Sequence, residues 1–119
     1  MIDRMLAEAR SRIRRYTPEE ALAADVLLVD TRSSDERRRD GIIPGSVHAP
    51  LSVLEWRADQ TSGHANPELA DHVLVIVCAH GYSSSLAADR LVALGIDAGD
   101  LVGGFEAWRD AGLPVLDAL

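Results

Sequence analysis

The stretch Val73–Leu94, VLVIVCAHGYSSSLAADRLVAL, decides how this chain reads. Five apolar residues, Val73 to Val77, run directly into Cys78, the only cysteine. An uninterrupted run of that length predicts a strand buried on both faces, as in a parallel sheet. Three serines follow the cysteine, and then Ala87, Leu91 and Leu94 recur at i, i+4 and i+7, the spacing of one helix face. Ser83 or Ser84 is expected to be the N-cap of that helix. The stretch thus predicts strand, loop and helix, with Cys78 at the C-terminal end of a central strand. A helix N-terminus closing on a thiol favours the thiolate, because its dipole and free backbone N–H groups bind anions.

Working outward, the composition bounds what such a site can serve. A chain of 119 residues with 47% hydrophobic and 26% charged residues has the make-up of one globular domain. Its net charge of −7 argues against general binding of nucleic acid or an anionic membrane, since both need a basic surface. One cysteine forms no internal disulfide, and with four scattered histidines it offers no zinc spacing. The lone cysteine fits a reducing compartment, and Met1–Arg15 lacks the apolar core of a signal peptide. The expectation is a cytoplasmic protein without metal, membrane partner or nucleic-acid partner.

Along the chain, Ile2, Met5, Leu6, Ala9 and Ile13 repeat at helical spacing with arginines between them. Residues 1–16 therefore read as an amphipathic helical extension ahead of one domain, 17–119. Its basic face is either solvated or a docking face for a partner. Thr17-Pro18-Glu19-Glu20 supplies an N-cap, a proline at N1 and a capping-box glutamate for a helix to about Ala24. Val26–Val29 reads as a strand that ends at Asp30-Thr31-Arg32. Asp30 and Arg32 are either a strand emerging into solvent or, more sharply, groups at the C-terminal sheet edge beside Cys78, where open α/β sheets bind ligands. The charged segment Ser33–Asp40 reads as a solvated loop or helix face. A turn at 41–45, a short strand at 46–49, a Ser52–Glu55 capping box and a helix to Arg57 come next. After the central strand and helix, Leu101-Val102 reads as a last short strand. Gly103-Gly104 then turns into a helix with Phe105, Trp108 and Ala111 on one face, which Gly112 ends. Strands alternating with helices call for an α/β domain, a mainly parallel sheet flanked by helices.

A free cysteine usually behaves as a small buried hydrophobe. Cys78 instead stands where a strand ends and a glycine-containing loop begins. Ala79, His80, Gly81, Tyr82, Ser83 and Ser84 follow in order. Gly81 lets the loop curl so that successive N–H groups converge on the sulfur, and the serine hydroxyls add donors. The expected product is a thiolate at neutral pH, and the same donors suit a persulfide anion. His80 either tunes the thiol or simply faces solvent. Tyr82 shapes the mouth of the pocket, and Trp56 and Trp108 read as packing residues.

Four separated motifs resemble one family: the strand–Cys78–loop–helix segment, Asp30-Thr31-Arg32, GIIPGSVHAP at 41–50 and GGFEAWRDAGLPV at 103–115. Together, from about Thr17 to Val115, they resemble a rhodanese-like domain, a single-domain sulfurtransferase. The resemblance implies the small three-layer rhodanese-like α/β fold. It also implies that Cys78 takes a sulfane sulfur from thiosulfate or a related anionic donor and passes it to cyanide or a thiol, with a protein acceptor as a further option and no cofactor. Many rhodanese loops read Cys-x-x-Gly-x-Arg, and here Ser83 stands at the arginine position. The loop is similar to the variant Cys-x-His-Gly-x-Ser-Ser, in which backbone amides carry the anion. Arg57 and Arg32 are then the candidates for charge from outside the loop, with a surface role for Arg57 and a structural ion pair for Arg32 as the competing readings. A rhodanese-like carrier or partner-binding module with little thiosulfate turnover is the alternative. A cysteine phosphatase would need arginine six residues after the cysteine, and Ser84 stands there.

Overall fold

The computed structural model describes residues 1–118, so Leu119, the last residue of the 17–119 range, lies outside the described residues. The elements run α1 (Ile2–Ser11), β1 (Arg14–Tyr16), α2 (Pro18–Ala23), β2 (Leu27–Asp30), α3 (Ser34–Asp40), β3 (Val47–His48), α4 (Leu54–Ala58), β4 (Leu74–Val77), α5 (Ser83–Ala93), β5 (Ala98–Leu101) and α6 (Gly104–Asp110). Single 3-10 turns at Leu51–Val53 and Pro67–Leu69 precede α4 and β4. The five strands form one parallel sheet in the order β1-β5-β4-β2-β3.

The apolar run is the middle of the sheet because its alternate side chains feed two cores. Leu74 and Ile76 pack with Val29, Leu54, Ala87 and Leu91 on one face. Val75 and Val77 pack with Tyr16, Leu101, Phe105 and Trp108 on the other. All four β4 residues are fully buried. Helices therefore cover both faces, and the expected three-layer α/β arrangement is present. The Thr17 capping box is formed as expected, and an equivalent box at Ser33 starts α3.

Four expectations need correction. Residues 14–16 do not continue the first helix; they are the edge strand β1, paired with β5, so the sheet draws on residues ahead of position 17. The last strand is Ala98–Leu101, with Val102 leaving it. Ser52 caps nothing, because the turn begins earlier: Val53 N–H donates to Pro50 O at 3.0 Å, and α4 starts without a side-chain cap. Ala111 ends α6 exposed, outside the face that buries Phe105 and Trp108. The first helix lies against α5 of its own domain. Arg12 forms two hydrogen bonds with Asp89, at 2.8 and 2.7 Å.

Candidate active site

Cys78 is 7% exposed at the C-terminal end of β4, in register beside the end of β2. Thr31 fastens the two ends together, its N–H and hydroxyl both donating to Val77 O at 2.9 and 2.8 Å. From there the chain makes a short loop and enters α5 at Ser83, with Tyr82 in the N-cap position and no side-chain cap. The expectation that Ser83 or Ser84 caps the helix is therefore corrected. Both lie within the first turn, and the uncapped amides remain free for the cysteine.

Three of the loop's carbonyls are held by donors from other parts of the fold. Cys78 O and Ala79 O accept the Phe105 and Glu106 N–H groups at the start of α6, at 2.8 and 3.1 Å. Gly81 O accepts Arg10 Nη2 at 2.9 Å and Arg15 Nη2 at 3.2 Å. With these carbonyls held, Gly81 N–H donates to Cys78 Sγ at 3.1 Å. This curl needs glycine twice. Gly81 has φ +85 and a Cβ there would come within 2.7 Å of Gly103 N. Gly104 has φ +64 and its Cβ would press on Cys78 O and lie 2.8 Å from Ala79 C.

Burial pushes the Cys78 thiol up, but hydrogen bonds from the Ser84 and Ser83 hydroxyls and from the Ser84 and Gly81 amides outweigh it and hold the thiol below its ordinary value. The Ser84 hydroxyl has only one proton to give, and at 2.8 Å from Asp100 Oδ2 it is directed at that carboxylate. The amides and Ser83 therefore do most for the anion in this arrangement. A buried, curled loop with amide and hydroxyl donors on the sulfur favours the thiolate of Cys78 over the thiol.

The family model for the rhodanese-like domain matches residues 17–111. The chain belongs to the rhodanese-like domain family. Curated relatives include a thiosulfate sulfurtransferase, GlpE, of Pseudomonas savastanoi pv. phaseolicola. It is 37% identical over 101 residues, with 81% of this chain and 87% of the relative covered. Among solved structures, a Rhodopseudomonas palustris protein described as of unknown function and a possible tyrosine phosphatase is 40% identical with a TM-score of 0.89. The match covers 97% of this chain and 93% of that one. A rhodanese-related protein of Thermoplasma volcanium is 25% identical with a TM-score of 0.73, covering 88% of this chain and 99% of that one.

Within this rhodanese-like domain the other sequence candidates divide. Asp30 and Arg32 do reach the sheet edge beside Cys78, but they are locked to each other. Arg32 Nε and Nη2 donate to the two Asp30 carboxylate oxygens at 3.1 and 2.9 Å, and Nη2 also donates to Gly41 O at 2.7 Å. The guanidinium lies 3.7 Å from the centre of the Phe105 ring. Arg32 is 3% exposed, and Arg37 brings a second cation to Asp30 at 3.2 Å. This pair braces the strand end, with Arg32 Nη1 left without a hydrogen-bond partner among the described residues. His80 Nδ1 lies 2.7 Å from Glu106 Oε2 at the solvent-facing rim, next to the exposed Tyr82.

Arg57 is not brought into the loop. It lines a cavity of about 400 Å³ with Ser52, Val53, Trp56 and His64, and its Nη1 donates to His64 O at 2.9 Å. Trp56, expected to be a packing residue, is 54% exposed on that cavity wall, whereas Trp108 is buried with Nε1 donating to Pro114 O at 2.8 Å. Sequence reasoning missed Ser85, Asp100, Arg10 and Arg15. The one local signal was an aspartate inside a segment that alternates with helices, and starting the last strand at Leu101 rather than Ala98 hid it. Among the described residues no group of three or more His, Cys, Asp or Glu side chains could hold a metal ion, and no helix is long and apolar enough to cross a membrane.

Proposed function

We propose that this rhodanese-like domain is a sulfurtransferase whose nucleophile is Cys78. The Cys78 thiolate attacks the outer sulfur of thiosulfate or a related anionic donor. The donor's S–S bond breaks, sulfite leaves with the bonding electron pair, and a persulfide remains on Cys78. A thiophilic acceptor, cyanide or a thiolate, then attacks the terminal sulfur, and the electron pair of that bond returns to Cys78 as thiolate. The observation that carries this reading is the Gly81 N–H on Cys78 Sγ at a strand end, in a loop whose Cys78, Ala79 and Gly81 carbonyls are held by outside donors. The same amides that favour the thiolate also suit the persulfide anion, so both resting forms of the cycle are held by one cradle.

Each remaining group has a role in this proposal. Ala79 and His80 supply the backbone that curls, Gly81 and Ser84 supply amides, and Ser83 supplies a hydroxyl. Tyr82 forms the mouth, and Asp30 and Arg32 support the strand end. Arg57, which shares a cavity wall with Trp56 outside the loop, is the outer charge that attracts the anionic donor. Support also comes from curated relatives named thiosulfate sulfurtransferase at 37% and 34% identity. A phosphatase reading, raised by the description of the R. palustris protein, lacks its anion clamp. The position six residues after Cys78 is Ser84, and its hydroxyl is held by Asp100.

The absence of arginine from the loop favours a second reading, a sulfur carrier that loads but turns thiosulfate over slowly. Cyanide-dependent thiocyanate formation with purified protein separates the two. Sustained turnover that is abolished in Cys78→Ser supports the transferase, stoichiometric loading with little turnover supports the carrier, and no sulfur transfer from any donor contradicts both.

A further inference from the structure

The loop that holds Cys78 is fastened from behind by residues outside the family match. Arg10, in the last turn of α1, donates from Nη2 to Gly81 O at 2.9 Å and from Nε to Ser85 Oγ at 3.1 Å. Arg15, on the edge strand β1, donates from Nη2 to the same carbonyl at 3.2 Å. Its Nε and Nη2 also reach Asp100 Oδ1 and Oδ2 at 2.9 and 3.3 Å. Asp100 is fully buried on β5, where the Ser84 and Ser85 hydroxyls donate to its Oδ2 at 2.8 and 2.7 Å. A buried carboxylate with four donors and a carbonyl with two guanidinium donors form one connected network across α1, β1, β5 and the first turn of α5.

We infer that the N-terminal segment is a working part of the cysteine site. Arg10 and Arg15 are positioning residues that hold the Gly81 carbonyl outward and so fix the Gly81 backbone torsions at which the amide on the other side of its Cα stays on Cys78 Sγ. The inference rests on Cys78 being the reactive group, and it goes beyond the sulfurtransferase reading by assigning a role to residues 10 and 15, ahead of the matched 17–111. The physical argument concerns the polarity of the loop. A loop carbonyl turned inward sets its negative end against the sulfur anion and takes the N–H of the same peptide unit away from it, and a donor behind the loop opposes that turn. At Cys78 and Ala79 the donors are α6 amides, which belong to the fold; at Gly81 they are two arginine side chains. They supply from the far side of the loop the positive charge that Ser83 does not supply from within it. The other charged groups around the loop are Asp100, which Arg15 neutralises, His80 paired with Glu106 at the rim, the Asp30–Arg32 pair at the end of β2, and Glu36, Arg39, Asp40 and Arg109, which line a cavity with Ala79 and His80; none of them is changed in the variants compared.

Arg12 provides the control. It also joins α1 to α5, through Asp89, but forms no hydrogen bond with the loop. The experiment is the pH profile of Cys78 alkylation by iodoacetamide in the full chain, for wild type, Arg10→Gln, Arg10→Lys and Arg12→Gln, with thermal unfolding of each. Removing the shorter of the two guanidinium bonds to Gly81 O, with Arg15 left in place, is expected to move the Arg10→Gln midpoint up by about half a pH unit, about a threefold loss of thiolate well below the midpoint. Arg10→Lys, which keeps a donor and the charge, recovers part of that shift. Arg12→Gln lowers the unfolding temperature but keeps the wild-type profile. Superimposable profiles for Arg10→Gln and wild type overturn the inference. So does an equal shift in Arg12→Gln, which would make the helix mere packing. The readout needs no sulfur donor: a wild-type protein that alkylates at low pH yet never accepts sulfur contradicts the sulfurtransferase reading alone.

Discussion

Replacing Gly104 with alanine tests whether the cysteine loop really is pressed against the start of α6. At φ +64 an alanine there is strained by about 1–2 kcal/mol on backbone grounds alone. Its Cβ would also meet Cys78 O and lie 2.8 Å from both Ala79 C and Ala79 O. Those are backbone atoms, which cannot swing aside, so overpacking adds about 1–3 kcal/mol. Gly112→Ala is the matched control: its φ is +74, but a Cβ there meets nothing within 4 Å. Both variants bear the backbone strain, and only Gly104→Ala bears the collision. In urea, with an m-value of about 2 kcal/mol per molar for a domain of this size, the midpoints should differ by about 0.5–1.5 M. Tryptophan fluorescence follows the unfolding. Gly104→Ala should also slow Cys78 alkylation at neutral pH under fully folding conditions, since displacing the Cys78 and Ala79 carbonyls turns the cradle. Equal midpoints, or an unchanged alkylation rate, would refute the backbone-to-backbone contact on which the cradle depends.

Other consequences follow from the ion pairs and the lowered thiol. Arg32→Met leaves Asp30 buried with only Arg37 beside it and should cost about 3–5 kcal/mol in denaturant unfolding; a cost under about 1 kcal/mol would contradict the bracing role. Because the folded thiol lies below its ordinary value, the unfolded chain binds more protons between the two values, so stability should rise with pH across that window. That contribution is complete above the ordinary thiol value and is lost as pH falls through the lowered one. Cys78→Ser should flatten this rise in a series of urea titrations, and an unchanged slope would count against the lowered thiol. Arg57→Gln should raise KM for thiosulfate several-fold while leaving kcat within about twofold, as loss of a charge outside the loop requires; a changed kcat with the same KM would remove Arg57 from the donor's path.

The parts of the fold that local chemistry dictates were legible in the sequence. The run Val73–Val77 fits a doubly buried strand, which forms over Leu74–Val77, and the Thr17 capping box marks the start of α2. Where tertiary pairing overrides local preference, the reading failed. Arg14–Tyr16 continues an amphipathic pattern yet becomes a strand because β5 offers it a parallel edge. Ala98–Leu101, with a glycine and an aspartate, has little strand propensity of its own and is held by neighbours on both sides. Of the site, Cys78 and the curled loop were legible, because a glycine and three serines after a strand end leave few alternatives. The serines' partners were not: Ser84, read with Ser83 as a candidate cap, and Ser85 beside it turn out to serve Asp100, 16 and 15 residues away. Arg10 and Arg15 act over separations of 71 and 66 residues, and nothing local marks them. Arg32 shows the converse, a charge beside the site that proves to be spent on Asp30.

The central claim is that Cys78 carries sulfur. The most direct measurement is the intact mass of the protein after brief exposure to thiosulfate, followed by peptide mapping and a second mass after addition of cyanide. The account predicts a gain of one sulfur atom, located on the peptide containing Cys78, absent from Cys78→Ser and removed by cyanide. An unchanged mass with thiosulfate and with other sulfane-sulfur donors, from a folded protein whose Cys78 still alkylates, would contradict it.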